Sequence, residues 1–360
     1  MKTPMKGRSN EYLNSKLKLK GTIIKGVGGL YYVMIDSDND SIDTLASSEV
    51  QGVSNNIQDP AQPMPSVITY ANSVIQCRAR GLFRKDGIMP TVGDRVIVET
   101  FAYSGEAALS REDESVITEI LPRRSILTRP SVANIDIIFV IISAAKPAPS
   151  FTTSDRLICI VERAGIEPVV IVTKRDLDES KASEIVETYE KCGIRTFCVS
   201  ATTGEGTDLL YSYIASLGEG ALTAFAGVSG AGKSTLLNRL YPNLNLKTGD
   251  ISRKTQRGRH TTRHVELLRT DVGVFIADTP GFSFIDFEHA GVGYFPAREL
   301  AGCFREFSPY IGSCKYKKCT HLREEGCAII AAVADDIIPQ RRHKSYVEIY
   351  EILKRHHPWD

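Results

Sequence analysis

The stretch "GVSGAGKST", Gly227–Thr235, follows the strand-like "LTAF" and runs into the helix-like "TLLNRL". Gly227, Gly232, Lys233 and Ser234 have the spacing of a phosphate-binding loop. Around Val228, Ser229, Gly230 and Ala231, such a loop curls its backbone N–H groups about phosphate oxygens. Lys233 would reach the β- and γ-phosphates, and the Ser234 hydroxyl would ligate Mg²⁺, with Thr235 opening the helix. A chance glycine-rich turn would not require a strand before it and a helix after it. The loop commonly lies near the start of its domain, but here 226 residues come first. The remaining nucleotide contacts must be sought on both sides of it.

Downstream, "DTPG" (Asp278–Gly281) ends the strand-like "GVFIAD". An acid there suits a Mg²⁺ contact through water, and the Gly281 N–H can meet the γ-phosphate. Upstream, "TKRD" (Thr173, Lys174, Arg175, Asp176) ends "PVVIV" and reads as a guanine clamp. The Asp176 carboxylate would accept from guanine N1–H and N2–H₂, whereas adenine would leave it desolvated and unpaired. That feature disfavours an ATPase. The commoner first residue of such a clamp is Asn, and this chain has Thr173. In "VSATTGEG", Ser200 and Ala201 supply the second half, with the Ala201 N–H aimed at guanine O6. Alone, "TKRD" would read as a charged strand-to-helix turn and Ser-Ala would mean little. Together with the phosphate loop they complete a site. The clamp comes first, the phosphate loop second and "DTPG" last, so the GTPase domain is circularly permuted, with "LGEGAL" as the new linker. Such a rearrangement is tolerable when the old termini lie close together at the surface.

The alternation of "IDIIFVII", "PVVIVT", "RTFCVS", "TAFAG" and "GVFIAD" with helical stretches predicts a mostly parallel sheet covered on both faces. Ahead of it, "GTIIKGVGGLYYVMI", "VIQCRARGLF" and "DRVIVET" are β-rich with turn chemistry between them. They predict a small oligonucleotide-binding type barrel over 21–121, carrying a polar, acidic insertion near 36–66. Residues 1–20 hold six Lys/Arg and one Glu and read as a basic tail, either solvated or touching RNA. The GTPase domain is placed at 122–286 and a helical, metal-bearing domain at 287–360. That region ends in a basic helix, "RRHKSYVEIYEILKRHH", expected to add affinity for RNA.

Net charge is +1 with 24% charged and 42% hydrophobic residues, so no global field announces a nucleic-acid partner. No signal-peptide pattern opens the chain and no apolar run is long enough to span a bilayer, so a cytoplasmic protein with no membrane partner is expected; a monomer is expected as well. Four of the eight cysteines lie between Cys303 and Cys327. Cys314, Cys319, His321 and Cys327 give C-x₄-C-x-H-x₅-C, a donor set for one closed, tetrahedral structural Zn²⁺. Cys303, in "ELAGCFREF", falls on a helical pattern and reads as core. "KYKK" and Arg323 surround the cluster with positive charge, as in an RNA-facing knuckle.

Where many GTPases carry a water-orienting Gln after "DxxG", this chain has Phe282. The basic run "RKTQRGRHTTRH", with five Lys/Arg and no acid, occupies the place of the first switch. Thr261 or Thr262, preferentially Thr262, can supply a Mg²⁺-sensing hydroxyl. The adjacent His260 can position or polarise the attacking water. A loop His that only contacts RNA is the competing reading.

The permuted motif order, "PRRSILTRP" followed by "VANID", "GRHTTR" and the terminal Cys/His cluster together resemble the RsgA, or YjeQ, family of circularly permuted GTPases over nearly the whole chain. The N-terminal extension and the 36–66 insertion depart from that pattern, and Thr173 is a variation the family tolerates. The resemblance implies late maturation of the small (30S) ribosomal subunit, with that subunit and its rRNA as partner and activator. It also implies water positioning by His260, Zn²⁺ on the four Cys/His residues and Mg²⁺ with GTP. The rival from another class is a GTP-regulated RNA-binding module whose hydrolysis is incidental. His260 beside the switch threonines favours the enzyme.

Overall fold

The computed structural model describes residues 16–37, 71–85, 87–101, 115–128, 130–244, 265–278 and 295–355. The chain divides into two compact units, Met1–Pro122 and Arg123–Asp360.

The first unit contains β1 (Lys16–Val27), β2 (Leu30–Ile35), β3 (Val74–Ala79), a one-turn α1 (Leu82–Lys85), β4 (Arg95–Phe101) and β5 (Val116–Ile120). β1 pairs antiparallel with both β2 and β4, β2 with β3, and β4 with β5; β3 and β5 run parallel. The ring is therefore closed and has no free edge. Leu19, Ile23, Val33, Ile35, Cys77, Val96, Val98 and Ile117 fill its interior. β1 starts five residues ahead of Gly21, inside the stretch read as a basic tail. The alternation "KLKLK" explains this, because Leu19 turns into the core while Lys20 stays exposed. A register shift between Ile23 and Lys25 bends β1 so that one strand serves two neighbours.

The second unit opens with a short hairpin, β6 (Ile126–Thr128) and β7 (Ser131–Ala133). There follow β8 (Ile137–Ser143), α2 (Phe151–Arg163), β9 (Glu167–Thr173), α3 (Glu179–Lys191), β10 (Thr196–Cys198), α4 (Thr207–Ser216), β11 (Leu222–Gly227), α5 (Lys233–Leu240), β12 (Glu266–Arg269) and β13 (Phe275–Asp278). Within this unit the strand order is β10-β9-β8-β11-β13-β12, parallel except for β12, which runs antiparallel to β13. β12 escapes a sequence reading because "ELLR" has helical propensity; pairing with β13 decides it. All seven residues of β8 are buried. Ile137, Phe139 and Ile141 pack into the cluster containing Leu210, Ile214, Leu236 and Leu237 of α4 and α5. The intervening residues serve the opposite face, where α2 and α3 pack.

Beyond Phe295 the chain forms 3-10 turns at Ala297–Cys303 and Arg305–Tyr310, then α6 (Ala328–Ala334) and α7 (Gln340–Arg355). The segment before α6 is less helical than its pattern suggests, with Gly302, Pro309 and Gly312 interrupting it. Its core holds Leu300, Phe304, Phe307, Ile329, Tyr346 and Ile349, with Cys303 buried among them and Cys159 of α2 joining from the GTPase sheet. Among the described residues, no helix is long and apolar enough to cross a membrane.

Candidate nucleotide and zinc sites

The phosphate loop leaves the C-terminal end of β11, which is flanked by the parallel strands β8 and β13. Gly232 caps α5 with φ 98°, a left-handed conformation that a side chain would strain. No side chain caps α5 and its first turn carries no acid. The helix dipole at this end favours an anion. Lys233 and Ser234 are half-buried at this end. Asp278 ends β13, which pairs with β11. His260, Thr261, Thr262 and Gly281 lie outside the described residues.

"TKRD" ends β9, and its first two residues turn towards the phosphate loop. The Thr173 hydroxyl, buried, donates to the Ala231 carbonyl at 2.6 Å. The Lys174 ammonium donates to the Gly230 carbonyl at 2.7 Å and to the Lys146 carbonyl. These bonds cross the end of β8 and join two motifs that lie 58 residues apart in sequence. Thr173 thus has a structural partner where Asn is commoner. Arg175 pairs with Glu205 at 3.0 Å and with Glu179 at 3.1 Å, so it ties the clamp turn to the second clamp loop. Asp176 is exposed in the turn Arg175–Leu177.

The second loop is closed by its own backbone. Ser200 accepts from Gly204 N–H, its own N–H donates to Glu205, and its buried hydroxyl accepts from Thr203 N–H at 3.1 Å. Gly206 has φ 74°, and a Cβ there would lie 2.2 Å from the Cys198 carbonyl oxygen. Only glycine suits that close approach at positive φ. All three described motifs therefore stand at the C-terminal ends of parallel strands, where open α/β sheets bind ligands.

Cys314, Cys319, His321 and Cys327 present four donor atoms all within 4.8 Å of one another. The Cys314 and Cys327 sulfurs are 3.8 Å apart, and His321 Nδ1 lies 3.5 Å and 3.4 Å from them. Zinc–sulfur bonds of about 2.3 Å and zinc–nitrogen bonds of about 2.0 Å give tetrahedral edges of roughly 3.8 Å (S–S) and 3.5 Å (S–N). The donor set fits one structural zinc. Burial pushes the Cys319 thiol up to about 12 and lowers the His321 pKa, which keeps the imidazole neutral. Zinc would displace the thiol protons. The supporting contacts come from nearby chain: His343 Nε2 is 2.8 Å from the His321 carbonyl, and the Tyr346 hydroxyl donates to the Thr320 carbonyl at 2.8 Å. Glu324 accepts from the N–H groups of Thr320, Leu322 and Arg323 and so closes the ligand loop.

The basic C-terminal helix is divided. Lys344, Lys354 and Arg355 are exposed, but Arg342 is 0% exposed. It donates to Asp155 of α2 and to both oxygens of Glu306, at 2.7 and 3.3 Å. Its guanidinium also covers the Phe304 ring at 4.5 Å. Burial would lower its pKa, but Asp155 and Glu306 more than reverse this and hold it well above the ordinary value. Arg342 therefore has no surface to offer RNA. Sequence reasoning missed this knot because a basic residue in a basic run gives no sign of burial.

The RsgA GTPase family matches residues 120–288, and the RsgA N-terminal domain matches 67–106. A 50S ribosome-binding GTPase family matches 222–355. The chain is 35% identical to the small ribosomal subunit biogenesis GTPase RsgA of Caldanaerobacter subterraneus subsp. tengcongensis, over 94% of this chain and 96% of that protein. It is 36% identical to the protein of the same name from Bacillus pumilus, over 94% and 99%. Among solved structures it is similar to YjeQ from Thermotoga maritima (26% identity, TM-score 0.70, covering 95% of this chain and 100% of that one). It is also similar to YloQ, a circularly permuted GTPase (30% identity, TM-score 0.67, covering 98% and 99%).

Proposed function

The chain belongs to the RsgA family of GTPases, and on that premise we propose that it acts in the cytoplasm on the small ribosomal subunit, binding it and its rRNA in the GTP state and leaving after hydrolysis. The observation that carries the nucleotide part is the junction of Thr173 and Lys174 with Ala231 and Gly230, which makes one site of two permuted halves. Asp176 selects guanine, helped by Ala201 N–H. The loop amides of 227–235 and Lys233 hold the phosphates. Ser234, Thr262 and Asp278, the last through water, hold Mg²⁺, and Gly281 N–H senses the γ-phosphate. His260 positions water for in-line attack, because Phe282 cannot. Zn²⁺ on Cys314, Cys319, His321 and Cys327 fixes the C-terminal region.

The release step follows from the permutation. The segment after Asp278 runs directly into the zinc-bearing region, so loss of the γ-phosphate is passed on along the chain. The test is co-sedimentation with purified small subunits, using a non-hydrolysable GTP analogue, GDP or no nucleotide, at two salt concentrations. The analogue should give the tightest binding, and salt should weaken it. Equal binding in all three states would end the release model. In the same assay His260→Ala should lower subunit-stimulated turnover while GTP affinity stays nearly intact.

A further inference from the structure

The buried knot around Arg342 connects the two sites described above. α3 starts from Asp178, whose side chain caps it by accepting from Lys181 N–H, two residues after the clamp Asp176. Along α3, Tyr189 is fully buried, and its hydroxyl donates to Asp155 at 3.0 Å. Asp155, on α2, receives Arg342 of α7 through the same oxygen. Next to it on α7, His343 meets the carbonyl of the zinc ligand His321, and one turn further Tyr346 holds that of Thr320. Two surface pairs repeat the link: Arg341 with Glu184 at 3.4 Å, and Lys191 with Asp336 at 2.7 Å.

We propose that Arg342 is a positioning residue for the guanine clamp, acting through Asp155 and Tyr189 on α3, so that guanine nucleotide and zinc each stabilise the other's site. This rests on reading Asp176 as the guanine clamp and the Cys/His cluster as the zinc site. The coupling runs through local unfolding. If zinc leaves, the 320–327 loop and α7 loosen, Asp155 loses its buried counter-cation, and Tyr189 loses a fixed partner. Conversely, nucleotide on the clamp holds α3 and keeps the Tyr189–Asp155 half of the knot formed. α7 then frays less often, and zinc is retained. Such coupling is reciprocal by thermodynamic necessity. It also differs from the switch route, because the clamp touches the base and is indifferent to the γ-phosphate.

The experiment measures zinc transfer from the zinc-loaded full chain to a chromophoric chelator, without nucleotide, with saturating GDP, and with a non-hydrolysable GTP analogue. Zinc content and GDP binding are measured first. GDP and the analogue should slow transfer alike, by about fivefold or more, the low end of typical site-to-site couplings. Tyr189→Phe removes one hydroxyl from the chain of contacts. It should still hold one zinc and bind GDP, but lose most of the protection at saturation. Arg342→Lys should keep only part of it. Equal transfer with and without GDP, or full protection in Tyr189→Phe, would overturn the proposal. Protection by the analogue alone would also overturn it, while leaving the release model standing. Absence of zinc from the purified protein, or of GDP binding, would overturn the site assignments and this inference together.

Discussion

The phosphate loop leaves a strand with a fully buried neighbour, whereas the Cys/His cluster is flanked by 3-10 turns and one short helix. The first site gets its shape from a sheet core: α4 and α5 bury leucines and isoleucine against β8 and β11, and the loop geometry follows from glycine and strand direction. The second has a small aromatic core, with Phe304, Phe307 and Tyr346 rings about one another at 5.0–5.4 Å. Its ligand loop contains no strand; Glu324, Tyr346 and His343 close it by hydrogen bonds, and its four donors would be cross-linked by a metal. One region is shaped by packing; the other is built around four donors that fit a metal.

Zinc removal is the sharpest way to break this contrast and should have the largest effect. In small zinc domains, metal binding supplies about 10–16 kcal/mol at neutral pH; the aromatic core here replaces part of that. Cys319→Ser or chelation should open residues 295–355 to limited proteolysis while the sheet remains protected. Equal loss of both regions would show that coordination shapes the whole unit. Retention of both would show that packing suffices.

Legibility divides along another line, between local motifs and tertiary contacts. Phosphate loop, clamp and zinc spacing are local patterns, each needing particular residue types at fixed separations, so sequence proposes them directly. The permuted order follows from the same motifs, and β10-β9-β8-β11-β13 realises it. What the pattern hides is tertiary. β12 is a strand because β13 offers an edge, not because "ELLR" favours it. Arg342 looks like its neighbours Arg341 and His343 in sequence. Its burial depends on Asp155 and Glu306, 187 and 36 residues away. His260, Thr262 and Gly281 are readable only as residue types, since they fall outside the described segments.

The seam between the regions gives the next effect in size. Arg342→Met would leave Asp155 and Glu306 buried without their cation. Breaking a buried ion pair at one partner costs about 3–5 kcal/mol. Chemical denaturation should show that loss. Adding Asp155→Asn and Glu306→Gln should return part of it, because the stranded charges are then gone. If the variants unfold in two separate steps while the parent unfolds in one, the knot is what makes sheet and zinc region cooperative. A single step throughout would mean that apolar contacts such as Cys159 against the C-terminal core are sufficient.

The smallest effect tests the packing-shaped site at its finest joint. Thr173 holds the phosphate loop by one buried hydroxyl, 2.6 Å from the Ala231 carbonyl. Thr173→Val keeps the volume and removes the donor, leaving that carbonyl unsatisfied. A lost hydrogen bond of this kind is worth about 1 kcal/mol, or somewhat more where the orphaned group is buried. GDP affinity should therefore fall by about fivefold, since 1.4 kcal/mol is tenfold. Guanine-over-adenine preference should stay as it was, because Asp176 is untouched. Thr173→Ser keeps the donor and should recover most of the affinity. If Thr173→Val instead abolished guanine preference, Thr173 would be touching the base rather than bracing the loop. If it changed nothing, Lys174 on the Gly230 carbonyl would be holding the two motifs together alone.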